Sequence, residues 1–350
     1  DRIYAGTAPS GLVYRIDNNK TPPITILSAE ENYVWDLVFD DDANLYAATG
    51  TEGKIYKIPT TNLTNNVETE SKDTETNSPT VLFDSEETNI VSLLFHQGYL
   101  YAGSDGKAII FKISLDGKAE VIHHNNFIGG RYSVLSEVGM LPAELMDLDS
   151  SKFKQLNNLI KNKNYLNSLV NNVDQILYFA KRKKFNSIII NYDEKSSNLF
   201  NWYQQLVAES LGKKGLGILP IVSNMPKDNH SVMQLYLDGF KNNFFTFFYV
   251  KEKNSLKINN SQILQMQSYL KNKDIDHIIY AQKQATENVF KNKKIPFRSF
   301  EILKRDEKTL GELFTFFILE TILLGRALKI NPFDQPAVEL IKTETKKILT

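Results

Sequence analysis

The feature that most constrains the fold of this chain is an internal repeat in its first 126 residues. Tyr4, Tyr46 and Tyr101 are each followed by Ala and then, about ten residues on, by a short stretch of the type Val/Ile-Tyr/Phe-Arg/Lys-Ile. Apolar and polar residues alternate in each copy, and Gly or Asp-Gly follows. This period of two, ended by turn residues, predicts short strands joined by hairpins.

Two further stretches of the repeat, residues 34–39 and 90–95, also match each other. Four short strands in about 40–50 residues are typical of one blade of a β-propeller. In this pattern the repeat resembles WD40-like or quinoprotein-like propellers in general. Two full units and parts of two others are present, whereas a closed propeller needs about 4–8 blades. We therefore expect an all-β, incomplete propeller over residues 1–126, with a disordered loop at about 62–80.

A metal site in this first module would have to use His123, His124 and the acidic run Asp40, Asp41 and Asp42. The chain has no Cys, which excludes disulfides, a thiolate nucleophile and Cys-based metal sites. We favour the interpretation that these His and Asp residues are exposed turn residues, and we predict no metal.

The charge is divided unevenly along the chain. Residues 1–126 contain 9 basic and 19 acidic residues, whereas the remainder contains 32 and 22. Because the basic residues of the second part are dispersed among Asn, as at residues 160–165, a solvated surface is favoured over a nucleic-acid site. The most apolar run, residues 313–328, is interrupted by Glu320 and Arg326 and predicts a buried helix, not a membrane span. The length and the charge indicate two modules of different origin.

From residue 127 onward, helical and strand patterns alternate. Strands are predicted at residues 187–192, 217–222, 244–250 and 297–303, and helices at residues 152–182, 198–211, 261–271, 309–328 and 336–349. Such alternation predicts an α/β domain with a parallel sheet and helices on both faces.

Two segments at opposite ends of this module carry candidate binding residues. Gly129, Gly130 and Arg131 combine a backbone that a ligand can approach with a fixed positive charge. The second segment, residues 331–342, places Pro336 in the first turn of a helix with Asp334 as its expected cap. Gln335 and Lys342 are two turns apart, so both can point into one cleft.

These two segments are similar to the signature motifs of the glucose-6-phosphate isomerase (phosphoglucose isomerase) family. Two further family segments lie between them in the same order, at residues 202–213 and 224–231. The resemblance covers residues 127–350, which correspond to the C-terminal half of a family member and mainly to its second sugar-isomerase (SIS) domain.

The resemblance implies interconversion of glucose 6-phosphate and fructose 6-phosphate through an enediolate, in a cytoplasmic homodimer without metal or cofactor. It also implies that the histidine serves the neighbouring subunit's site. By this resemblance, Glu209 is the carboxylate base, and His230 and Lys342 are the pair that opens the sugar ring. Arg131 is the cation that stabilises the enediolate, and Gln335 and Gly130 contact the substrate or water.

One family feature has no counterpart in the sequence. The family binds the substrate phosphate with a Ser/Thr-rich loop of its first SIS domain, and nothing in residues 1–126 resembles it; the superficially similar residues 49–53 form a hairpin turn of the repeat. We therefore expect the chain by itself to isomerise poorly or not at all. Two alternatives stay open: a propeller-based interaction protein with a sugar-phosphate-binding SIS domain, and a chimeric reading frame joined near residues 123–127.

Overall fold

The chain divides into two compact units, Asp1–Asn125 and Asn126–Thr350. The structure is a computed structural model that describes residues 2–17, 21–60, 78–107, 109–125, 127–252 and 254–349. Of the predicted disordered loop at 62–80, residues 62–77 lie outside the described residues. Its last residue, Thr80, is the first residue of a strand.

The described residues of the first unit form antiparallel sheets. The strands are β1 (Ile3–Gly6), β2 (Leu12–Ile16), β3 (Ile24–Ser28), β4 (Tyr33–Phe39), β5 (Asn44–Gly50), β6 (Lys54–Pro59), β7 (Thr80–Asp84), β8 (Ile90–His96), β9 (Tyr99–Ser104), β10 (Ile110–Ser114) and β11 (Ala119–Ile122). They pair in chain order as β1-β2-β3, β4-β5-β6-β7 and β8-β9-β10-β11.

The sheet formed by β4 to β7 is buried on both faces. Leu45 and Ala47 of β5 pack in an apolar cluster with Val13 of β2. The alternate residues of β5, Tyr46 and Ala48, pack with residues of β8 to β10 in a second cluster. Alternation with a period of two thus places this sheet between the other two. The described residues of the first unit form three sheets and no closed ring. A propeller is therefore not shown, and that interpretation remains a hypothesis.

The prediction that residues 40–42 are all exposed is wrong for Asp40, which is only 7% exposed. Its carboxylate accepts hydrogen bonds from Asn44 and from the Tyr46 hydroxyl at 2.8 and 2.9 Å. Burial alone would raise the pKa of Asp40, but these hydrogen bonds outweigh it and hold the pKa below its ordinary value. Asp40 therefore organises the β4–β5 turn.

The second unit contains a parallel sheet and helices. Its strands are β12 (Asn186–Asn191), β13 (Leu219–Asn224), β14 (Asn243–Val250) and β15 (Phe297–Ile302). The helices are α1 (Glu137–Leu145), α2 (Ser150–Phe153), α3 (Leu156–Leu159), α4 (Lys163–Lys181), α5 (Ser197–Leu211), α6 (Asp228–Ser231), α7 (Met233–Asp238), α8 (Ile275–Asn292), α9 (Glu307–Ala327) and α10 (Pro336–Leu349). The sheet order is β13-β12-β14-β15, and all its pairs are parallel.

Helices cover both faces of this sheet, as predicted. Ile189 and Phe248 pack with apolar residues of α4, α5 and α9 on one face. Ile190 and Phe247 point to the other face, where they pack with residues of α7 and α8. Every residue of β14 is buried, which is typical of an inner strand of a parallel sheet.

One helix prediction is wrong in position. Residues 261–271, predicted as a helix, form two short 3-10 helices, Asn260–Gln262 and Gln265–Leu270. The long helix is α8, which begins after Asp274, whose carboxylate accepts the His277 N–H at 2.8 Å. Asp274 is a good N-cap, but α8 is rich in charged and amide side chains and so has no long apolar run in the sequence.

An ion pair between β15 and α9 is buried in the second unit. The guanidinium of Arg298 contacts both carboxylate oxygens of Glu320, which is 2% exposed. It also donates to Thr246 Oγ1 at 2.9 Å and Asn172 Oδ1 at 3.0 Å. Desolvation lowers the pKa of Arg298, but the charge of Glu320 more than offsets this and raises it. The pair fixes α9, which leads into the segment before α10.

In the part of the chain that the structure describes, no helix combines the length and apolarity needed to cross a membrane.

Candidate active site

Arg131 is the centre of the candidate site in the second unit. It lies in a 3-10 helix, Gly130–Leu135, and is 3% exposed. Its five N–H donors reach Ser210 Oγ at 2.9 Å, Glu209 Oε2 at 3.1 Å, Gln335 Oε1 at 2.8 Å, Pro332 O at 2.8 Å and Asp334 O at 3.1 Å. A guanidinium has five N–H donors, so its donor capacity is used completely.

Helix α5 supplies the carboxylate of the site. Glu209 lies near the C-terminal end of α5, and its side chain is 29% exposed. Its Oε2 contacts Arg131, while its Oε1 accepts from Gln205 Nε2 at 3.1 Å, one turn earlier in the helix. Glu209 is therefore held from two sides and still reaches solvent.

The segment between α9 and α10 supplies the amide of the site. Two backbone carbonyls of this segment bind Arg131, which places Gln335 beside the guanidinium. Tyr132 strengthens the contact, because its hydroxyl bonds to Ser210 Oγ at 2.8 Å and donates to Pro332 O at 3.1 Å. Residues separated by about two hundred positions in the chain thus meet at one guanidinium.

Lys213 joins the end of α5 to the same segment, a role that the sequence did not suggest to us. Its ammonium donates to Ser210 O at 3.0 Å and Asn331 O at 2.6 Å, and it lies 3.0 Å from Asp334 Oδ1. The hydrogen bond from Lys213 lowers the pKa of Asp334 below its ordinary value. A Lys just after a helix often binds the last carbonyls of that helix, and this was the available signal. Asp334, our expected cap of α10, is paired with Lys213 instead.

A cavity of about 560 Å³ lies beside these residues, and Glu209, Lys213 and Gln335 line it. This volume is typical of a small-molecule site. Gly129 and Gly130 leave open space: a Cβ placed on either would have no heavy atom within 4 Å apart from its chain neighbours. Neither has a positive φ, so the two glycines leave room near Arg131 and are not required by the backbone conformation.

His230 lies far from this group. Helix α5 connects the end of β12 to the beginning of β13, so Glu209 is at the edge where the parallel strands begin. His230 is exposed in α6, which follows β13, and so lies at the edge where the strands end. A six-residue strand spans roughly 20 Å, and this sets the scale of the separation.

The structure also does not bring Lys342 to the cavity. Its ammonium lies 2.7 Å from Glu339 Oε1 on an exposed face of α10, and its side chain is 67% exposed. Helix α10 has no buried residue. Of the six predicted site residues, the structure therefore unites Arg131, Glu209 and Gln335, with Gly130 at their side.

Metal binding finds no support in the described residues, because no group of three or more His, Asp or Glu side chains is arranged to hold an ion. What the site can do is hold a carboxylate, a guanidinium and an amide around a small polar ligand. A carboxylate next to a fixed cation is suited to removing a proton and stabilising the negative charge that results.

Comparison with known proteins finds relatives named glucose-6-phosphate isomerase. Glucose-6-phosphate isomerase of Mycoplasmopsis pulmonis is 37% identical over 265 residues, which cover 72% of this chain and 61% of that protein. The enzyme of Methanocaldococcus jannaschii is 34% identical over 233 residues and covers 63% of this chain and 55% of that protein. A probable glucose-6-phosphate isomerase of Methanococcus maripaludis is 33% identical over 234 residues, which cover 64% of this chain and 51% of that protein. The chain thus spans about half to three-fifths of these relatives.

Two solved structures resemble the fold. A hypothetical protein from Thermus thermophilus is 25% identical with a TM-score of 0.58, over 63% of this chain and 55% of that chain. A glucose-6-phosphate isomerase from Chlamydia trachomatis has a TM-score of 0.52 at 17% identity, over 65% of this chain and 48% of that chain, and supports the fold alone. No protein-family model matches the chain.

Proposed function

Because this chain is a sequence relative of glucose-6-phosphate isomerases over about half to three-fifths of their length, we propose that its second unit carries the proton-transfer part of such an active site. The proposed reaction interconverts glucose 6-phosphate and fructose 6-phosphate through an enediolate. The proposed fold of this unit is the second SIS domain of the family.

The observation that carries the proposal is the contact of Arg131 with both Glu209 Oε2 and Gln335 Oε1, beside an open cavity. Arg131 joins α5 to the segment before α10, and in doing so it holds a partly exposed carboxylate next to solvent. The same group is suited to abstract a proton from a carbon next to a carbonyl. The enediolate charge then develops within reach of the guanidinium.

In the proposed reaction, Glu209 takes the proton from C2 of the open-chain aldose. The electron pair of that C–H bond forms the C1–C2 double bond, and the π pair of the C1 carbonyl moves onto its oxygen, which gives the enediolate its negative charge. Glu209 then returns the proton to C1, and a proton moves between the two oxygens. Since all five donors of Arg131 are occupied, an enediolate oxygen must replace Gln335 Oε1 or Glu209 Oε2 as acceptor. Gln335 lies in an exposed segment and is the acceptor that we expect to move.

Ring opening is assigned to His230 and Lys342, and we propose that a second copy of the chain completes the site. The support is the placement of His230 at the opposite edge of the sheet from Glu209. A separation on the order of 20 Å exceeds the reach of both side chains to one sugar. Lys342 requires in addition that α10 approach the cavity, and its exposed face is compatible with docking of further protein.

The phosphate of the substrate has no proposed partner in this chain. Binding energy from a non-reacting phosphate normally helps to hold the sugar for the chemical step. We therefore propose that the chain alone turns over slowly. For the first unit we retain the propeller hypothesis, which is supported by two four-stranded meanders and by apolar clusters shared between successive sheets.

Binding of an enediolate mimic tests the proposal without requiring turnover. 5-Phospho-arabinonate carries a planar carboxylate where the substrate has its reacting carbons. By calorimetry, we expect it to bind the wild-type chain. Gly130→Val should weaken binding by roughly tenfold or more, because a side chain on this exposed glycine projects into open space beside Arg131, where a Cβ meets no residue apart from its chain neighbours.

The matched control is Ala285→Val, which adds similar bulk to an exposed position of α8 outside the cavity lining. It should change the affinity of the mimic far less than Gly130→Val. Equal affinity of wild type and Gly130→Val, or no binding to the wild-type chain, would contradict the placement of the substrate beside Arg131.

A further inference from the structure

A second cavity, of about 370 Å³, lies in the second unit at the other edge of the parallel sheet. Its walls are the N-terminal halves of α5 and α9, and its floor is formed by the last residues of β14 and β15. Open parallel sheets bind ligands outside the carboxyl ends of their strands. This cavity is at that edge, whereas the Glu209 group is at the opposite one.

The interior of the cavity is apolar and partly aromatic. Leu199 and Trp202 contribute from α5, Phe248 from β14, and Leu313 and Phe314 from α9. Trp202 and Phe314 meet edge to face with ring centroids 4.9 Å apart, which leaves aromatic surface toward the space. Such a lining favours a flat apolar body of the size of one or two rings.

The mouth of the cavity carries two cations. Arg305 and Lys195 line it, and both contact the half-exposed carboxylate of Glu252, at 3.3 and 3.0 Å. Arg305 also pairs with Asp193 at 2.7 Å. Because Glu252 is 43% exposed, it can turn to water and leave both cations to another anion. The N-terminus of the 21-residue helix α9 also lies at this cavity, but the carboxylate of Asp306, which lines the cavity, caps it, so Arg305 and Lys195 supply the positive charge for a bound anion.

We propose that this cavity binds a small aromatic monocarboxylate, with its ring among Trp202, Phe248 and Phe314 and its carboxylate at Arg305 and Lys195. The proposal does not depend on the isomerase function. The carboxylate replaces that of Glu252, so no unpaired charge is created at the mouth. Most of the lining surface is apolar, so a sugar, whose many hydroxyls need polar partners, should bind less well than an aromatic ring.

Trp202 provides a direct reporter of occupancy. The chain has two tryptophans, and the other, Trp35, lies in the first unit. In a Trp35→Phe background, the emission comes from Trp202 alone. Its indole N–H donates to the backbone carbonyl of Arg131 at 2.9 Å, and Val134 of the same 3-10 helix lines the cavity. A bound ring therefore also contacts the element that carries Arg131.

The experiment uses the intact chain with 4-phenylbutanoate and its neutral amide as probes. Affinities are measured by calorimetry, and the emission of Trp202 is followed in the Trp35→Phe background. We expect saturable binding of the acid with a change in Trp202 emission. The amide should bind about threefold to fivefold more weakly, since a partly exposed ion pair contributes only modestly.

Two variants and their matched controls locate the bound acid. Leu310→Trp fills the cavity and should weaken binding by roughly tenfold or more. Leu323→Trp makes the same change at a 37% exposed position of α9 outside the cavity lining and should leave binding unchanged. Arg305→Gln should reduce the preference for the acid over the amide, because only Lys195 remains at the mouth, and Arg326→Gln should retain the full preference. Binding that is unchanged in Leu310→Trp and Arg305→Gln, or absent in the wild type, overturns the proposal.

Discussion

Replacing Glu209 by Gln is expected to lower the rate of fructose 6-phosphate isomerisation by about 10²- to 10⁴-fold, the usual contribution of a positioned general base. The amide has nearly the shape of the carboxylate and can still accept a hydrogen bond from Arg131. It cannot take a proton from carbon, so the loss should fall on the chemical step. A coupled assay of glucose 6-phosphate formation, at high concentration of the purified chain, measures it.

The control for this substitution is Glu344→Gln, which alters an exposed carboxylate of α10 paired with Lys347. Its effect separates loss of the base from a general loss of negative charge, because both variants change the net charge equally. Glu344→Gln should retain most of the wild-type rate. Retention of the wild-type rate in Glu209→Gln would remove Glu209 from the proposed mechanism.

The second large effect is expected from Glu320→Gln, which should lower the free energy of unfolding of the second unit by about 3–5 kcal/mol. The substitution removes the charge that compensates Arg298, whose side chain is only 17% exposed and stays between β15 and α9. Urea unfolding followed by Trp202 emission in the Trp35→Phe background measures the change. Because α9 delivers the segment that binds Arg131, the variant should also bind the enediolate mimic more weakly.

Two comparisons test the reason for this loss. Glu339→Gln breaks an exposed pair and should cost about 1 kcal/mol or less. The double variant Arg298→Met, Glu320→Met removes both charges and should be more stable than Glu320→Gln alone, because no unpaired buried charge is left. A double variant less stable than Glu320→Gln would show that the side-chain packing, and not the charge, determines the effect.

The elements of the second unit that were predicted well are those with long apolar runs. Helix α9 was predicted at residues 309–328 and observed at Glu307–Ala327, and β14 was predicted within a residue of its observed start. Helix α8 was missed because charged and amide residues interrupt its apolar positions, and its buried side includes Lys283 and Glu287. Lys283 is buried because it pairs with Glu287 at 3.1 Å and with Glu301 of strand β15 at 3.3 Å.

The candidate site was likewise predicted only in part. The motifs predicted that Arg131, Glu209 and Gln335 would meet, since their residue types and order match a known pattern. They did not predict that Lys342 would lie on an exposed face of α10, because two turns along a helix fix a direction and not a contact. The role of Lys213 and the second cavity depend on atoms from several elements, and such contacts have no local signal in a sequence.

Transfer of solvent deuterium to carbon tests the central claim most directly, because it detects enediolate formation even where net isomerisation is slow. Fructose 6-phosphate is incubated with the chain in D₂O, and proton NMR follows the loss of one hydrogen at C1. We predict that the wild-type chain and Glu344→Gln accelerate this exchange above buffer, whereas Glu209→Gln does not. No exchange by the wild-type chain, or equal exchange in Glu209→Gln, would contradict the assignment of Glu209 as the base that acts beside Arg131.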